Sequence, residues 1–194
     1  MPLRPVVAVP RFQSSCYRFS RFSLPDLIAG NPLTDAYSII DSPGRGRGVI
    51  TNRPYTAGEF VMNFTGRKTH ISEIEDFTHY LQIAPDQFIS PSGNADDFVN
   101  HSCDPNCALY FEGDGLVLKA ICAIPPGEEL SFDYGTIMFS EPTRFKCECG
   151  SPECRGMIGN FHTLPQALKE KYQAGNMVPL LSRYTLTEIH PPVP

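Results

Sequence analysis

The sequence lacks the features of a secreted or membrane-spanning chain. No apolar run approaches the roughly 18 residues that a helix needs to cross a bilayer. The first residues contain no compact apolar stretch followed by a cleavage-like site, so no secretory signal is predicted. We expect an intracellular protein, nuclear or cytoplasmic, that has no membrane partner.

An excess of positive charge is also missing. Sixteen Lys and Arg residues against 21 Asp and Glu residues give a net charge of −5. Broad binding to a phosphate backbone requires a basic face, so direct nucleic-acid binding is not predicted. The acidic balance instead favours attraction of a basic partner.

Acidic residues are absent from the start of the chain until Asp26, within an N-terminal arm that we assign to residues 1–34. Arginines combined with this absence are typical of an organelle targeting segment. Pro2, Pro5 and Pro10 interrupt any amphipathic helix there. A disordered basic arm is therefore the simpler interpretation, and targeting is the alternative.

The remaining sequence is typical of one globular domain built from short strands. Hydrophobic residues make up 41% of the chain, and its 19 prolines and 15 glycines predict many turns. We therefore predict a mainly β fold of small twisted sheets with few short helices. Helical spacing of apolar residues predicts one short helix or helical turn over 71–82, and a second helix is predicted over 164–173 before a frayed tail.

The stretch CECGSPEC at 147–154 places three cysteines within eight residues, in a chain that has seven. Without a secretory signal, clustered thiols hold metal more often than they form disulfides. Cys147, Cys149 and Cys154 leave a structural zinc ion one ligand short. Cys103 is favoured as the fourth because its neighbours are typical of a turn, but spacing alone leaves Cys107 as an alternative. Free thiols and a disulfide are the other possibilities.

Two further cysteines are less suited to the metal site. Cys122 lies in the apolar run LKAICAI and is most simply a buried small hydrophobe. Cys16 lies in the N-terminal arm.

Four segments occur in order along the chain: RGRGV at 45–49, FVNHSCDPNC at 98–107, GEELSFDYG at 127–135 and the KCECGSPECRG stretch that follows. Together they resemble a SET-domain protein lysine methyltransferase with a post-SET zinc cluster. The resemblance implies a SET domain over 35–142, a post-SET segment over 143–160 and a C-terminal helix and tail over 161–194. It also implies a knot-like core of the β-clip type and S-adenosylmethionine as the cofactor.

The resemblance assigns roles to individual residues. Tyr134 matches the catalytic tyrosine, and Cys103 completes the zinc site with Cys147, Cys149 and Cys154. The implied cofactor-binding residues are Arg45, Gly46, Arg47, Gly48, Asn100, His101, Tyr134 and Met157.

Three aromatic residues match the channel that receives the substrate lysine: Tyr80, Phe132 and Phe64. A phenylalanine two residues before the catalytic tyrosine is associated in this family with room for further methyl groups. The resemblance therefore implies di- or trimethylation ahead of monomethylation. Core packing is the alternative role of Phe132 and of Tyr80.

The chain departs from the family at several positions. Phe64 stands where a tyrosine is frequent, and Asp97 stands where an arginine is common. Asp97 either recruits a basic substrate residue or caps a turn, and we favour the turn. A cysteine-rich pre-SET module does not precede the domain in this sequence.

The predicted function is transfer of methyl groups to an exposed lysine of a histone or non-histone protein. One alternative is a catalytically weak SET-like module that binds protein or peptide. A purely structural zinc module is a second alternative, which leaves the cofactor-type residues unexplained.

Overall fold

The computed structural model describes residues 36–139 and 144–189. The predictions made for the N-terminal arm, for Cys16 and for the tail after residue 189 lie outside these ranges. Within them, no helix is both long enough and apolar enough to span a membrane.

Short strands dominate the described residues, as the turn-rich sequence predicts. They form two three-stranded and three two-stranded sheets in the described part of the chain. The strands are β1 (Tyr37–Ser42), β2 (Gly46–Thr51), β3 (Phe60–Phe64), β4 (Lys68–His70), β5 (Leu81–Gln82), β6 (Gln87–Ile89), β7 (Asn100–His101), β8 (Cys107–Glu112), β9 (Gly115–Ala120), β10 (Ser131–Phe132), β11 (Phe145–Lys146) and β12 (Met157–Ile158).

Helices are short and lie mainly toward the C-terminal end. The α-helices are α1 (Gln166–Ala174) and α2 (Leu186–Ile189). Helix α1 confirms the predicted C-terminal helix but begins two residues later, because Leu164 precedes Pro165 and is held extended. The 3₁₀ helices are Ile71–Glu73, Ala95–Phe98, Tyr134–Thr136, Phe161–Thr163 and Pro179–Ser182.

Of the short helix or helical turn predicted over 71–82, the structure has only a helical turn at the start of the segment. Only Ile71–Glu73 is helical, and the segment ends in strand β5. The Asp76 carboxylate accepts hydrogen bonds from both the amide and the hydroxyl of Thr78, which favours a turn. His79 has a φ of 63° and so leaves the right-handed helical region. Local polar contacts therefore override the apolar spacing.

One hydrophobic core joins the sheet β3–β9–β8 to the C-terminal segment. Its members are buried apolar side chains from these two regions and from the segment around β10, including Val61, Leu109, Leu118, Leu130, Phe132, Phe139, Phe161, Tyr172 and Leu180. Each such side chain contributes about 1.5 to 3 kcal/mol when it leaves water. This burial fixes the C-terminal segment against the sheets.

A parallel pair of two-residue strands brings together segments that are distant in sequence. Strand β7 pairs with β10, so that Asn100 lies opposite Ser131 and His101 lies opposite Phe132. The 3₁₀ helix that carries Tyr134 begins directly after β10. The pairing therefore places Asn100, His101 and Tyr134 at one location.

Candidate active site and metal centre

Four cysteine sulfurs converge at one point of the structure. The Sγ atoms of Cys103, Cys147, Cys149 and Cys154 all lie within 4.8 Å of one another. The Sγ atoms of Cys103 and Cys147 are 3.8 Å apart. A tetrahedral zinc ion with Zn–S bonds of about 2.3 Å requires sulfurs separated by about 3.8 Å. The four residues therefore fit one structural zinc ion, and a shell of four thiolates leaves no open position.

The alternative ligand Cys107 lies elsewhere. It begins strand β8, is fully buried and belongs to the main hydrophobic core. Cys103 instead belongs to a separate small cluster with Cys147 and Ile158. This geometry groups Cys103, and not Cys107, with the other three sulfurs.

Backbone amides stabilise the sulfurs as thiolates. The amide of Arg155 donates to Sγ of Cys103 at 3.3 Å, and the amide of Gly156 donates to Sγ of Cys154 at 3.4 Å. Burial is the largest cause of a raised pKa at Cys103, which reaches about 11 despite the Arg155 amide, and burial also raises the pKa of Cys147. A bound cation supplies the charge that favours the thiolate form, so metal binding releases protons from these thiols.

A cavity of about 700 Å³ lies beside the cysteine cluster. Strands β11 and β12 and the first two cysteines of the C-x-C stretch contribute Phe145, Lys146, Cys147, Glu148, Cys149 and Ile158 to one wall. Other lining residues come from the segment 76–81 and from around β7 and β10. The cysteine cluster therefore holds the C-terminal wall of the cavity in place.

Most of the predicted site residues line this one cavity. Those that do are Arg45, Phe64, Tyr80, Asn100, His101, Phe132, Tyr134, Cys147 and Cys149. Residues predicted for the cofactor and residues predicted for the lysine channel thus share one space.

Gly46, Arg47, Gly48 and Met157 do not contribute to the lining. The Arg47 guanidinium lies 3.6 Å from the centre of the Phe98 ring. Gly48 has a different constraint, because an added Cβ would lie 2.4 Å from Oε1 of Glu129. Met157 is 50% exposed on β12, whereas its neighbour Ile158 is buried against the cavity. Their assignment to the cofactor stays a prediction.

Tyr134 is held in the cavity by its hydroxyl and its ring. The hydroxyl donates to the carbonyl oxygen of Val99 at 3.0 Å. The ring centre lies 4.9 Å from that of Phe132 and 5.4 Å from that of His101. Burial raises the pKa of Tyr134 to about 12, so the side chain is a neutral hydrogen-bond donor at neutral pH.

His101 connects Tyr134 to the cysteine cluster. Its Nδ1 accepts a hydrogen bond from the amide of Tyr134 at 3.2 Å, and its Nε2 lies 3.3 Å from Sγ of Cys103. Burial lowers the pKa of His101 to about 4, so the imidazole is neutral. With Nδ1 as acceptor, the proton is assigned to Nε2, which points at the sulfur.

Arg45 is fixed at the cavity by Glu129. Nη2 of Arg45 and Oε2 of Glu129 are 2.5 Å apart in a mostly buried ion pair. The other carboxylate oxygen, Oε1, accepts from Nδ2 of Asn100 at 2.8 Å. Asn100 also donates to the carbonyl oxygen of Arg47. Two predicted cofactor residues are thereby locked to each other through one carboxylate.

Asp97 caps a turn, as favoured from the sequence. Its carboxylate accepts from the amides of Ser92 and Gly93 at 2.9 and 2.7 Å.

Phe64 packs edge-on against Phe132 with ring centres 6.1 Å apart. The Phe64 departure therefore makes this wall of the cavity apolar.

Several lining residues escaped sequence reasoning: Gly44, Asp76, Phe77, His79, Phe145 and Glu148. Phe145 lies two residues before Cys147 and is 43% exposed. Its position next to the cysteine motif could have identified it as a site residue. No sequence signal pointed to His79. Its position within the predicted helix gave no reason to expect a left-handed backbone conformation.

Comparison with known proteins identifies related sequences and folds. Residues 46–135 match the SET domain family. The mouse histone-lysine N-methyltransferase NSD3 is 34% identical over 62% of this chain and 10% of its own length. The probable histone-lysine N-methyltransferase set-23 of Caenorhabditis briggsae is 31% identical over 69% of this chain and 65% of its own length. This chain spans less than two thirds of either relative.

A crystal structure of KRYPTONITE in complex with mCHG DNA and SAH has the same fold. It superposes with a TM-score of 0.55 at 25% identity, over 63% of this chain and 28% of that chain. The methyltransferase domain of human SETMAR superposes with a TM-score of 0.55 over 64% of this chain at 24% identity. The mainly β architecture predicted from the sequence is confirmed by these likenesses.

Proposed function

We propose that this chain, whose residues 46–135 match the SET domain family, is a protein-lysine N-methyltransferase that uses S-adenosylmethionine. The observation that carries the proposal is the placement of Tyr134. Its neutral hydroxyl is fixed on the Val99 carbonyl within a largely apolar cavity that Asn100 and His101 also line. Relatives that share the domain are named histone-lysine N-methyltransferases.

The cavity fits the proposed cofactor in size and chemistry. Its volume of about 700 Å³ falls within the range of small-molecule sites. Arg45 and Asn100, both fixed by Glu129, offer polar groups for an amino acid moiety. Apolar surface from Phe145 and Ile158 suits an aromatic base. Bound S-adenosylmethionine supplies an electrophilic methyl group on sulfur.

The chain's own residues then have to bind and orient a neutral lysine amine. A free lysine has a pKa near 10.4, and an apolar channel lowers this value because burial disfavours the ammonium form. Phe64, Phe132 and Tyr80 provide such walls. The Val99 carbonyl and the Tyr134 hydroxyl, joined at 3.0 Å, are fixed polar groups that can direct the amine lone pair. Such alignment supplies much of the rate gain in a displacement in line.

We propose di- or trimethylation as the outcome. Phe132 is buried and packs against Phe64 and Tyr134, so its ring carries no hydroxyl to anchor a water beside the amine. An amine that already carries a methyl group then meets only apolar surface at this wall.

Histones are the proposed substrates. Their tails are basic, which suits a chain of net charge −5. Both relatives described above carry histone-lysine names. A histone substrate places the activity in the nucleus. Direct nucleic-acid binding is not part of the proposal, because the sequence lacks a basic excess.

The test is label transfer by purified, zinc-replete protein. Core histones and a cell lysate are incubated with radiolabelled S-adenosylmethionine, and binding of S-adenosylhomocysteine is measured separately by calorimetry. Label on a histone band supports the full proposal. Cofactor binding without label on any protein would favour the binding-module alternative, and no cofactor binding would refute the enzyme.

A further inference from the structure

The Asp133 side chain is a buried junction directly before Tyr134. It is fully inaccessible, and its Oδ1 accepts from the amide of Gly135 at 3.0 Å, which caps the 3₁₀ helix Tyr134–Thr136. An ionised carboxylate needs about four hydrogen-bond donors to replace the water it loses. The helix itself supplies only one of them.

The other donors come from two segments outside the matched SET domain. Nη1 and Nη2 of Arg155 donate to the two carboxylate oxygens, each at 2.8 Å. The hydroxyl of Tyr172 donates to Oδ2 at 2.9 Å. Arg155 directly follows the metal-ligating Cys154, and Tyr172 lies on helix α1. The carboxylate therefore joins the metal centre, the C-terminal helix and the Tyr134 turn.

Packing also links the Tyr134 turn to the C-terminal segment, independently of the Asp133 carboxylate. Gly135 follows Tyr134, and a Cβ added there would lie 2.8 Å from Cδ2 of Leu164. Leu164 lies just before helix α1 and is buried. The amide of Phe161 also donates to the carbonyl of Met138 at 2.8 Å. The segment 135–138 thus contacts the C-terminal segment at Gly135 and at Met138.

We propose that Tyr172 is a positioning residue for methyl transfer, which acts from helix α1 through Asp133 to hold the turn of Tyr134. This inference rests on the proposed function and extends it to a helix that the SET domain match does not include. Tyr172 does not line the cavity. Its hydroxyl therefore acts on the turn of Tyr134 through Asp133, which makes helix α1 part of the catalytic unit.

The experiment compares Tyr172→Phe with Tyr184→Phe in the full chain. Both changes remove one hydroxyl from the C-terminal segment, but Tyr184 packs against the core without contacting Asp133. Steady-state methylation of core histones is measured at saturating S-adenosylmethionine, together with zinc content and hydrogen–deuterium exchange of the peptide that spans 131–138.

For Tyr172→Phe, kcat is expected to fall by about tenfold because the reacting groups lose alignment, while KM and zinc content stay close to wild type. Exchange in 131–138 is expected to accelerate. Tyr184→Phe is expected to leave both kcat and the exchange rate in 131–138 unchanged, even if it lowers the melting temperature.

Two results would overturn the inference: unchanged exchange in 131–138, or faster exchange with an unchanged kcat. A wild-type chain that transfers no methyl group would refute the proposed function instead. The two failures are distinguishable because exchange is measured without turnover.

Discussion

The sulfur atoms of Cys103 and Cys147 lie 3.8 Å apart although 44 residues separate them in the chain. Because Cys103 follows β7 and Cys147 follows β11, this contact ties the segment of Asn100 and His101 to the C-terminal wall of the cavity. The metal centre is therefore a structural support of the proposed active site.

Replacing Cys103 by alanine is expected to abolish stoichiometric zinc and to weaken S-adenosylhomocysteine binding at least about tenfold, because the cavity wall loses its anchor. Metal analysis and calorimetry measure both. Cys107→Ala is the matched control, which should lower stability by creating a core cavity but retain one zinc per chain. Loss of zinc in the control and not in Cys103→Ala would show that the ligand set is wrong.

Phe132→Tyr is expected to shift the product toward monomethyl-lysine. The added hydroxyl would stand in the apolar contact with Phe64 and Tyr134, where it can hold a water beside the amine. Mass spectrometry of the product, at equal total turnover for variant and wild type, gives the distribution. An unchanged ratio of mono- to higher methylation would assign Phe132 to core packing alone.

Asp133→Asn is expected to destabilise the fold by about 3 kcal/mol, because Arg155 then keeps a largely buried charge without its partner. Denaturant unfolding of the zinc-bound protein measures the change. Glu148→Gln breaks the exposed pair with Lys146 and serves as the control, for which no measurable change is expected. Equal stability of both variants would contradict the role of Asp133 as a junction.

Alkaline pH is expected to reduce the stability that Tyr172 provides. Burial and the neighbouring Asp133 carboxylate raise the pKa of Tyr172 above its unfolded value near 10. Above pH 10 the unfolded chain loses this proton while the folded chain keeps it, so the free energy of unfolding falls as pH rises. The stability difference between wild type and Tyr172→Phe should therefore shrink from pH 9 to pH 11, as measured by denaturant unfolding. A difference that stays constant would mean that Tyr172 titrates normally in the fold.

Three of the four proposed metal ligands could be predicted from the sequence alone. They are close in sequence, so their spacing alone predicts the site, whereas the fourth required a choice between Cys103 and Cys107 that only tertiary structure resolves. Composition around Cys103 favoured it because turn residues leave a sulfur accessible, while Cys107 begins a strand that is buried in the core.

Two features of the fold could not be predicted from the sequence: the path of the segment 71–82 and the contacts of Asp133. Apolar spacing suggested a helix over 71–82. The hydrogen bonds between Asp76 and Thr78 and the left-handed backbone of His79 instead direct this segment along the cavity. The junction at Asp133 joins residues 22 and 39 positions away in sequence. Partners at such distances leave no periodic pattern in one sequence, so Tyr172 is found only from the fold.

The central claim is that the Tyr134 hydroxyl orients the lysine amine for methyl transfer. The substitution Tyr134→Phe tests this claim most directly. The variant loses the hydrogen bond to Val99 and nothing else of its side chain. Tyr110→Phe on β8 is the matched control, since Tyr110 lies outside the cavity lining.

Methylation of core histones is measured for both variants and wild type, with zinc content and S-adenosylhomocysteine affinity determined on the same samples. For Tyr134→Phe the rate is expected to fall by about tenfold or more, equivalent to about 1.4 kcal/mol of barrier, with zinc and cofactor affinity retained. Tyr110→Phe should keep the wild-type rate. An unchanged rate in Tyr134→Phe would remove Tyr134 from the chemistry and contradict the proposed active site.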